Sequence, residues 1–258
     1  MTGSAGVDLH METVTGAAAL PVVMVHGYLG GSAQWSDLQT ALADRFSIVA
    51  LDLPGFGRAS GHAAPATIAG FAEHVIADLD ARGIERCVLV GHSMGGMIAQ
   101  EVASRIPQRL DRLVLYGTGP LGSMPDRFEA LDVSLDRLRQ DGVARTARRI
   151  AATWLSRGEA HPGFEALSSI GAQADNEAAR IALNAMAAWD GRASLSLLTM
   201  PSLIIWGDED RSYRWRQVEY LWTHLPSASL AVIPGASHAA HVEKPELFRM
   251  ILEDFLTG

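Results

Sequence analysis

The sequence is poor in cysteine and in basic residues, and it has no long hydrophobic run. Cys87 is the only cysteine among 258 residues, which rules out an internal disulfide and indicates a reducing compartment. No Lys or Arg precedes Arg45, so the apolar stretch 17–25 lacks the basic region of a signal peptide, and it is too short to span a bilayer. The sequence therefore predicts a cytoplasmic protein that does not enter a membrane.

The charge balance narrows the range of partners. The chain has 21 Lys and Arg against 29 Asp and Glu, a formal net charge of −8, whereas nucleic-acid binding requires clustered positive charge. The expected partner is a small-molecule substrate, with no nucleic acid and no membrane, and the sequence leaves a homodimer open. Neither a cofactor nor a metal is expected, because no phosphate-binding motif and no cluster of metal ligands is recognisable.

Short apolar runs alternate with helical patterns over most of the chain. Runs rich in Val, Ile and Leu, without polar interruption, are typical of strands buried on both faces. They occupy residues 22–25, 46–51, 87–90, 113–116, 203–206 and 230–233. Apolar residues at three- and four-residue spacing predict helices at 35–43, 68–82, 97–105, 215–225 and 245–256. This order predicts an α/β protein with a mostly parallel central sheet flanked by helices.

The alternation is interrupted between residues 119 and 198. This stretch has helical periodicity but no strand-like run, and it follows the predicted strand 113–116. Ligands of parallel α/β sheets bind at the carboxyl ends of the strands, so we expect the insertion to form a helical cap over the site. The predicted organisation is a core of residues 1–118 and 199–258 with a cap of residues 119–198. Extra helices packed beside the sheet are the alternative.

The strongest local signal is the segment Gly91-His92-Ser93-Met94-Gly95, which lies between a buried run and a helical pattern. A serine in a sharp strand-to-helix turn requires small residues two positions before and after it, and glycine stands at both places. The amino terminus of the following helix presents unpaired N–H groups to a developing oxyanion. The pattern predicts Ser93 as a nucleophile, and a glycine-rich turn with a buried serine is the alternative.

A second glycine-rich segment, His26-Gly27-Tyr28-Leu29-Gly30-Gly31, follows the first predicted strand. Its glycines permit close approach of the backbone, and we expect the N–H groups of Tyr28 and Met94 to form an oxyanion hole. A phosphate-binding loop would need a Gly-Lys-Ser/Thr ending or a G-x-G-x-x-G pattern, and the segment has neither. The segment therefore favours acyl transfer over nucleotide binding.

An uncharged serine needs a histidine base and a carboxylate that orients this base. His238 lies in the segment after the last predicted strand, where the base is expected, and His241 is the rival. An acidic run, Asp208 to Asp210, follows the preceding strand. Asp210 is the preferred acid, because residues 207 and 208 are expected to form the turn, and a solvated acidic run is the alternative.

Four residues of the cap are candidates for substrate contacts. Trp154, Trp189 and Phe128 can supply apolar lining, although aromatic residues at helical spacing more often belong to a core. Arg145 can bind a substrate carboxylate through two hydrogen bonds, as can Arg148 and Arg149 of the same basic run. Such a run is more often one solvated helix face.

Five segments, in order along the chain, resemble those of the capped α/β-hydrolases of the lactonase, esterase and carbon–carbon hydrolase type. They are Val25-His26-Gly27, Asp52-Leu53-Pro54-Gly55-Phe56-Gly57, Gly91-His92-Ser93-Met94-Gly95-Gly96, Trp206-Gly207-Asp208-Glu209-Asp210 and Gly235-Ala236-Ser237-His238. The resemblance covers about residues 22–256 and implies the α/β-hydrolase fold with a helical cap inserted after the sixth strand. The segment before Val22 is short for the leading strand pair that this count includes.

The resemblance also implies an activity. Residues 93–101 are similar to those of 3-oxoadipate enol-lactonases, and residues 117–122 to those of hydrolases that split carbon–carbon bonds in ring-cleavage products. The latter commonly carry Asn before the nucleophile, where this chain has His92. The resemblance therefore favours an ester or enol-lactone hydrolase of aromatic catabolism that forms an acyl-enzyme on Ser93. Carbon–carbon bond hydrolysis, a perhydrolase activity and a ligand-binding protein that retains the hydrolase shell are the alternatives.

Overall fold

Six parallel strands form the central sheet of the computed structural model, which describes residues 20–123 and 129–258. They are β1 (Val22–Val25), β2 (Ile48–Leu51), β3 (Cys87–His92), β4 (Leu110–Tyr116), β5 (Ser202–Gly207) and β6 (Ala228–Ile233). The spatial order is β2-β1-β3-β4-β5-β6, and every neighbouring pair is parallel. Each of the six apolar runs is therefore a strand, and the predicted α/β fold with a parallel sheet is confirmed.

The helices of the described residues follow in chain order. They are α1 (Ser36–Leu42), α2 (Ile68–Ala81), α3 (Met94–Arg105), α4 (Leu131–Trp154), α5 (Phe164–Gly171), α6 (Asn176–Ala188), α7 (Trp215–His224), α8 (Ala240–Glu243) and α9 (Pro245–Thr257). Apolar residues of α2, α3 and α7 share one core with the sheet, and those of α1 and α9 share the core on the other face. The sheet is therefore covered on both sides.

Strand β1 shows why its sequence is apolar at every position. Val23 and Val25 pack into the core beneath α2 and α3, whereas Val22 and Met24 pack into the core beneath α1 and α9. Successive side chains of a strand point to opposite faces of the sheet, so a strand between two helical layers has no solvent-facing position. All four residues are fully buried.

The insertion consists of α4, α5 and α6 and lies between β4 and β5. Helix α4 changes direction at Gly142, whose φ of 72° and ψ of 173° lie outside the helical region. In the described part of the chain the insertion follows the fourth strand and not the sixth, because residues 20–21 precede β1 without forming a strand and residues 1–19 are not described. Within residues 20–123 and 129–258, no helix combines the length and apolarity needed to cross a membrane.

The strand order creates a crevice at the carboxyl ends of β1 and β3. These strands are neighbours, but the connection from β1 leads to β2 at one edge and that from β3 leads to β4 on the other side. Connections that diverge in this way leave a gap above the sheet, where ligands of open α/β sheets bind. The two glycine-rich segments of the sequence both lie at this gap.

Candidate active site

Ser93 occupies a strained turn between the end of β3 and the start of α3. Its φ of 56° and ψ of −116° lie in a region that residues with a side chain rarely adopt. The Ser93 N–H donates to the backbone oxygen of Tyr116 at 2.9 Å, and the Thr118 hydroxyl donates to the backbone oxygen of Ser93 at 2.8 Å. Strand β4 and the residues after it therefore hold both backbone groups of the turn.

Glycine is required on each side of this serine for a steric reason. A Cβ at Gly91 would collide with the backbone of Gly95 and Gly96, and a Cβ at Gly95 would lie 2.6 Å from the backbone oxygen of His26. Backbone atoms cannot rotate aside as the end of a flexible side chain can. The Gly-x-Ser-x-Gly spacing of the sequence is thus a direct consequence of the close approach of α3 to β1 and β3.

The side chains of Asp210 and His238 are in direct contact. Nδ1 of His238 lies 2.8 Å from Oδ2 of Asp210, and both side chains are buried. Oδ1 of Asp210 accepts hydrogen bonds from the N–H groups of Ser212, at 2.7 Å, and Tyr213, at 3.1 Å. Both carboxylate oxygens are therefore engaged, and the imidazole is held with its Nδ1–H toward the acid.

The other acid candidates have different surroundings. Asp208 accepts a hydrogen bond from the N–H of Gly235 at 2.7 Å and so links the loop after β5 to the loop after β6. Glu209 is exposed. Asp210 is the member of the acidic run that contacts His238, as the sequence analysis prefers.

His241 lies beneath the cavity rather than in it. Its Nδ1 is 3.0 Å from the hydroxyl oxygen of Tyr116. Burial, reinforced by the nearby His238, lowers the pKa of His241 to about 3. This side chain stays neutral near pH 7 and does not line the cavity that contains Ser93 and His238.

His92 is also buried and neutral. Its Nε2 donates to the backbone oxygen of His238 at 3.1 Å, because a carbonyl oxygen can only accept. Its Nδ1 accepts from Nε2 of Gln34 at 3.2 Å. Burial, together with His238 and His241, lowers the pKa of His92 well below its usual value, in agreement with this tautomer.

The loop after β1 packs directly against the serine. A Cβ at Gly27 would lie 2.9 Å from Cβ of Ser93, so only glycine permits this approach. Tyr28 follows and lines the same cavity as Ser93. Met94 is the first residue of α3, so its N–H has no acceptor within the helix. This arrangement can supply two backbone donors beside Ser93, one from each side of the crevice.

The cavity lies between the core and the cap. Its empty volume, which includes space open to solvent, is about 560 Å³. From the core, Tyr28, Ser93, Tyr213 and His238 line it. From the cap it is lined by Ser134, Thr146, Arg149, Ile150, Trp154, Leu183 and Met186.

The structure separates the four cap candidates of the sequence analysis. Trp154 lines the cavity. Trp189 does not, because its ring packs into the core and its Nε1 donates to Oε1 of Glu101 at 2.8 Å. Arg145 is exposed and is not among the lining residues. Phe128 lies outside the described residues.

The sequence analysis did not select Thr146, and it named Arg149 only as a member of the basic run that contains Arg145. Thr146, Arg149, Ile150 and Trp154 are separated by three, four and eight positions, the spacing of one helix face. Arg145 precedes this face by one residue, a rotation of about 100° around the helix axis. Counting back from Trp154 by the helical repeat would have identified Thr146, Arg149 and Ile150 as residues of the same face.

Comparison with known proteins agrees with this architecture. Residues 21–245 match the family model described as the alpha/beta hydrolase fold. The chain belongs to this family, and it is accordingly a hydrolase of the α/β fold.

Two relatives of similar length are enzymes that act on esters or lactones by name. The chain is 27% identical over 247 residues to 3-oxoadipate enol-lactonase 2 of Acinetobacter baylyi, covering 92% of this chain and 89% of the relative. It is also 27% identical over 251 residues to the pimeloyl-[acyl-carrier protein] methyl ester esterase of Edwardsiella ictaluri, covering 94% and 95%.

Solved structures share the whole fold. The enol-lactonase of Burkholderia xenovorans superposes with a TM-score of 0.87 at 22% identity, covering 97% of this chain and 96% of that one. A thermophilic esterase of Thermogutta terrifontis gives 0.86 at 28% identity, with 96% and 93% covered. The 2-hydroxy-6-oxo-6-phenylhexa-2,4-dienoate hydrolase of a Rhodococcus species gives 0.78 at 24% identity, with 93% and 91% covered. The resemblance recognised in the sequence is confirmed.

Proposed function

We propose that the protein is a serine hydrolase that cleaves a small-molecule carboxylic ester or lactone through an acyl-enzyme on Ser93. The observation that carries the proposal is the 2.8 Å contact between Nδ1 of His238 and Oδ2 of Asp210, at a cavity that Ser93 and His238 both line. A buried carboxylate held by two backbone N–H groups is suited to fix the tautomer of a histidine base. The named activities of the lactonase and esterase relatives support the same reaction class.

In the first step His238 takes the proton of the Ser93 hydroxyl while Oγ bonds to the carbonyl carbon of the substrate. The negative charge that develops on the carbonyl oxygen is stabilised by the N–H groups of Tyr28 and Met94. The protonated His238, stabilised by Asp210, then gives its proton to the departing alkoxide or enolate as the carbon–oxygen bond breaks. Water, activated by His238, adds to the acyl-enzyme and releases the acid and the free Ser93.

The single thiol of the chain is not a competing nucleophile. Burial raises the pKa of the Cys87 thiol to about 11, so the reactive thiolate is scarce near pH 7. Cys87 is fully buried within β3, among the apolar residues of the core. A lone buried cysteine also supports the proposal of a cytoplasmic location.

Labelling with a fluorophosphonate probe tests the nucleophile. We expect mass spectrometry to find one adduct, on Ser93, and Ser93→Ala to lower kcat on an activated ester by about 10⁴-fold or more. Ser169→Ala is the matched control, because Ser169 is exposed on α5 and does not line the cavity. Undiminished turnover by pure, folded Ser93→Ala protein would refute the acyl-enzyme.

A substrate panel separates the reaction classes. Enol-lactones, simple esters and vinylogous diketones should be compared by kcat/KM, and we expect esters or lactones to be preferred. A preference for the diketones would favour carbon–carbon bond hydrolysis instead. One burst of product without further turnover would favour a ligand-binding protein that retains the hydrolase shell.

A further inference from the structure

The cap side of the cavity carries two buried polar atoms without a hydrogen-bond partner among residues 20–123 and 129–258. They are Oγ1 of Thr146, in a residue that is 3% exposed, and Nε of Arg149. Both residues line the cavity from α4, three positions apart and therefore on one helix face. Buried polar groups are nearly always hydrogen-bonded in native proteins, because their desolvation is otherwise uncompensated. These two atoms are suited to bind a ligand group.

Both atoms can donate a hydrogen bond. The Nε–H of a guanidinium has no acceptor capacity, and a threonine hydroxyl can donate in whichever direction its rotation allows. One oxygen with two lone pairs, such as a carbonyl oxygen, accepts from both. An alkyl group at the same place would leave both donors unpaired, so the cavity discriminates against it.

The positive charge of Arg149 is already balanced. Its two terminal nitrogens lie 3.5 Å from Asp141 and 3.8 Å from Glu129. Glu129 in turn accepts from Arg137 at 2.5 Å and from the Ser134 hydroxyl at 2.6 Å. The two arginines and two carboxylates of this group sum to zero charge. A substrate carboxylate bound by Arg149 would therefore find no surplus positive charge to compensate it, whereas a neutral acceptor needs none.

We propose that the acyl half of the substrate carries an uncharged acceptor oxygen, such as a ketone oxygen, and that Thr146 and Arg149 bind it. The inference rests on the proposed serine hydrolase function. It concerns the acyl half because that half stays bound to Ser93 in the acyl-enzyme; in a lactone the released oxygen remains attached to the same half. The rest of the cap side of the cavity is lined by the apolar side chains of Ile150, Trp154, Leu183 and Met186 and by Ser134, whose hydroxyl donates to Glu129.

A matched series of p-nitrophenyl esters tests the proposal, since the leaving group is constant. The acyl groups are 4-oxopentanoyl, with a ketone; 4-methylpentanoyl, its apolar counterpart; and succinyl, with a carboxylate. After subtraction of uncatalysed hydrolysis, we expect the wild-type kcat/KM for the ketone ester to exceed that for the apolar ester by about 10-fold or more. It should also exceed the value for the carboxylate ester.

Thr146→Val removes the hydroxyl and keeps the volume. We expect the ketone-to-apolar ratio of kcat/KM to fall about 10-fold in this variant. Thr153→Val is the control, because Thr153 lies on the same helix but its hydroxyl donates to the backbone oxygen of Ile150, at 2.7 Å, and it does not line the cavity. The ketone-to-apolar ratio of kcat/KM in Thr153→Val should equal that of the wild type.

The melting temperature gives an independent readout. Thr146→Val should raise Tm without substrate, because it removes an unpaired buried hydroxyl, whereas a Thr146 whose hydroxyl supported the fold would give a lower Tm. An unchanged ratio in Thr146→Val, or a wild-type preference for the succinyl or apolar ester, would overturn the proposal. Absence of turnover with every ester in the series would refute the hydrolase function itself.

Discussion

His92, the residue before the candidate nucleophile, donates a hydrogen bond from Nε2 to the backbone oxygen of His238, the candidate base, at 3.1 Å. The hydroxyl of Tyr116 donates to the same oxygen at 2.9 Å. Two donors therefore occupy the lone pairs of one carbonyl and fix the backbone from which the imidazole extends. In the sequence His92 is a departure from the Asn of carbon–carbon hydrolases, and in the structure it is a support of the base loop.

Removal of the Tyr116 hydroxyl tests this support. Tyr116→Phe keeps the ring in the core but loses the hydrogen bond to the His238 backbone, so the base is held less firmly. We expect kcat to fall about 10-fold, with KM much less affected, in steady-state kinetics on an activated ester. Tyr220→Phe, on α7 and outside the cavity, is the control. Equal losses in both variants would argue against a positioning role.

Substitution of Gly95 should disrupt the serine turn. A Cβ at Gly95 would lie 2.6 Å from the backbone oxygen of His26, and we expect Gly95→Ala to lower the free energy of unfolding by about 3 kcal/mol or more. A Cβ at Gly61 meets nothing within 4 Å, so Gly61→Ala should lie within about 0.5 kcal/mol of the wild type. Urea denaturation of both variants compares them directly, and similar values would contradict the steric argument.

Buried histidines should make the protein sensitive to mild acid. Burial lowers the pKa of His26, His92 and His241, the last to about 3. Each is neutral in the folded chain but takes up a proton below about pH 6.5 when unfolded. The stabilisation is therefore present above about pH 6.5 and is lost as the pH falls; for His241 the loss is about 2 kcal/mol between pH 6.5 and pH 5, and His26 and His92 act in the same direction.

Urea denaturation at several pH values measures this loss. His241→Phe should make the dependence shallower between pH 6.5 and pH 5, by about 1 kcal/mol per pH unit. His224→Gln, at an exposed position of α7, is the control variant. A wild-type stability that does not vary over this pH range would contradict the assignment of neutral buried imidazoles.

Glu243 connects the cap to the loop of the base. Its Oε1 accepts from the N–H and the hydroxyl of Ser156, at 2.7 and 2.6 Å, and its Oε2 accepts from the N–H of Ser237 at 2.5 Å. Glu243→Gln replaces one acceptor by a donor, which cannot pair with an N–H. We expect the free energy of unfolding to fall by about 1–3 kcal/mol and kcat to fall with it.

An exposed glutamate provides the control for this connection. Glu246 pairs with Arg249 at the surface, with 80% of its side chain exposed, and such pairs contribute little to stability. Glu246→Gln should therefore differ from the wild type by less than about 0.5 kcal/mol in urea denaturation. A Glu243→Gln variant as stable and as active as Glu246→Gln would show that the connection is not needed.

Much of the fold could be predicted because short residue patterns in the sequence indicate its strands and turns. The apolar run of β1 indicates a strand that is covered on both faces. The glycines around Ser93 indicate a turn in which a Cβ would collide with backbone atoms. His238 follows the last predicted strand in chain order, which made it the candidate base. The turn expected at residues 207 and 208 favoured Asp210 over Asp208 as the candidate acid. These inferences depend on residues close in sequence, because steric and burial requirements there produce recognisable patterns of apolar residues and glycines.

The sequence by itself thus determined the sheet, the serine turn and the order of the candidate catalytic residues along the chain. The tertiary structure alone decided which cap residues reach the cavity, placing Thr146 and Arg149 there and leaving Arg145 exposed. It also decided that Trp189 belongs to the core and that His92 supports His238. The reason is physical: the rotation of a helix relative to a distant sheet depends on packing between segments far apart in the chain, and no local pattern encodes it.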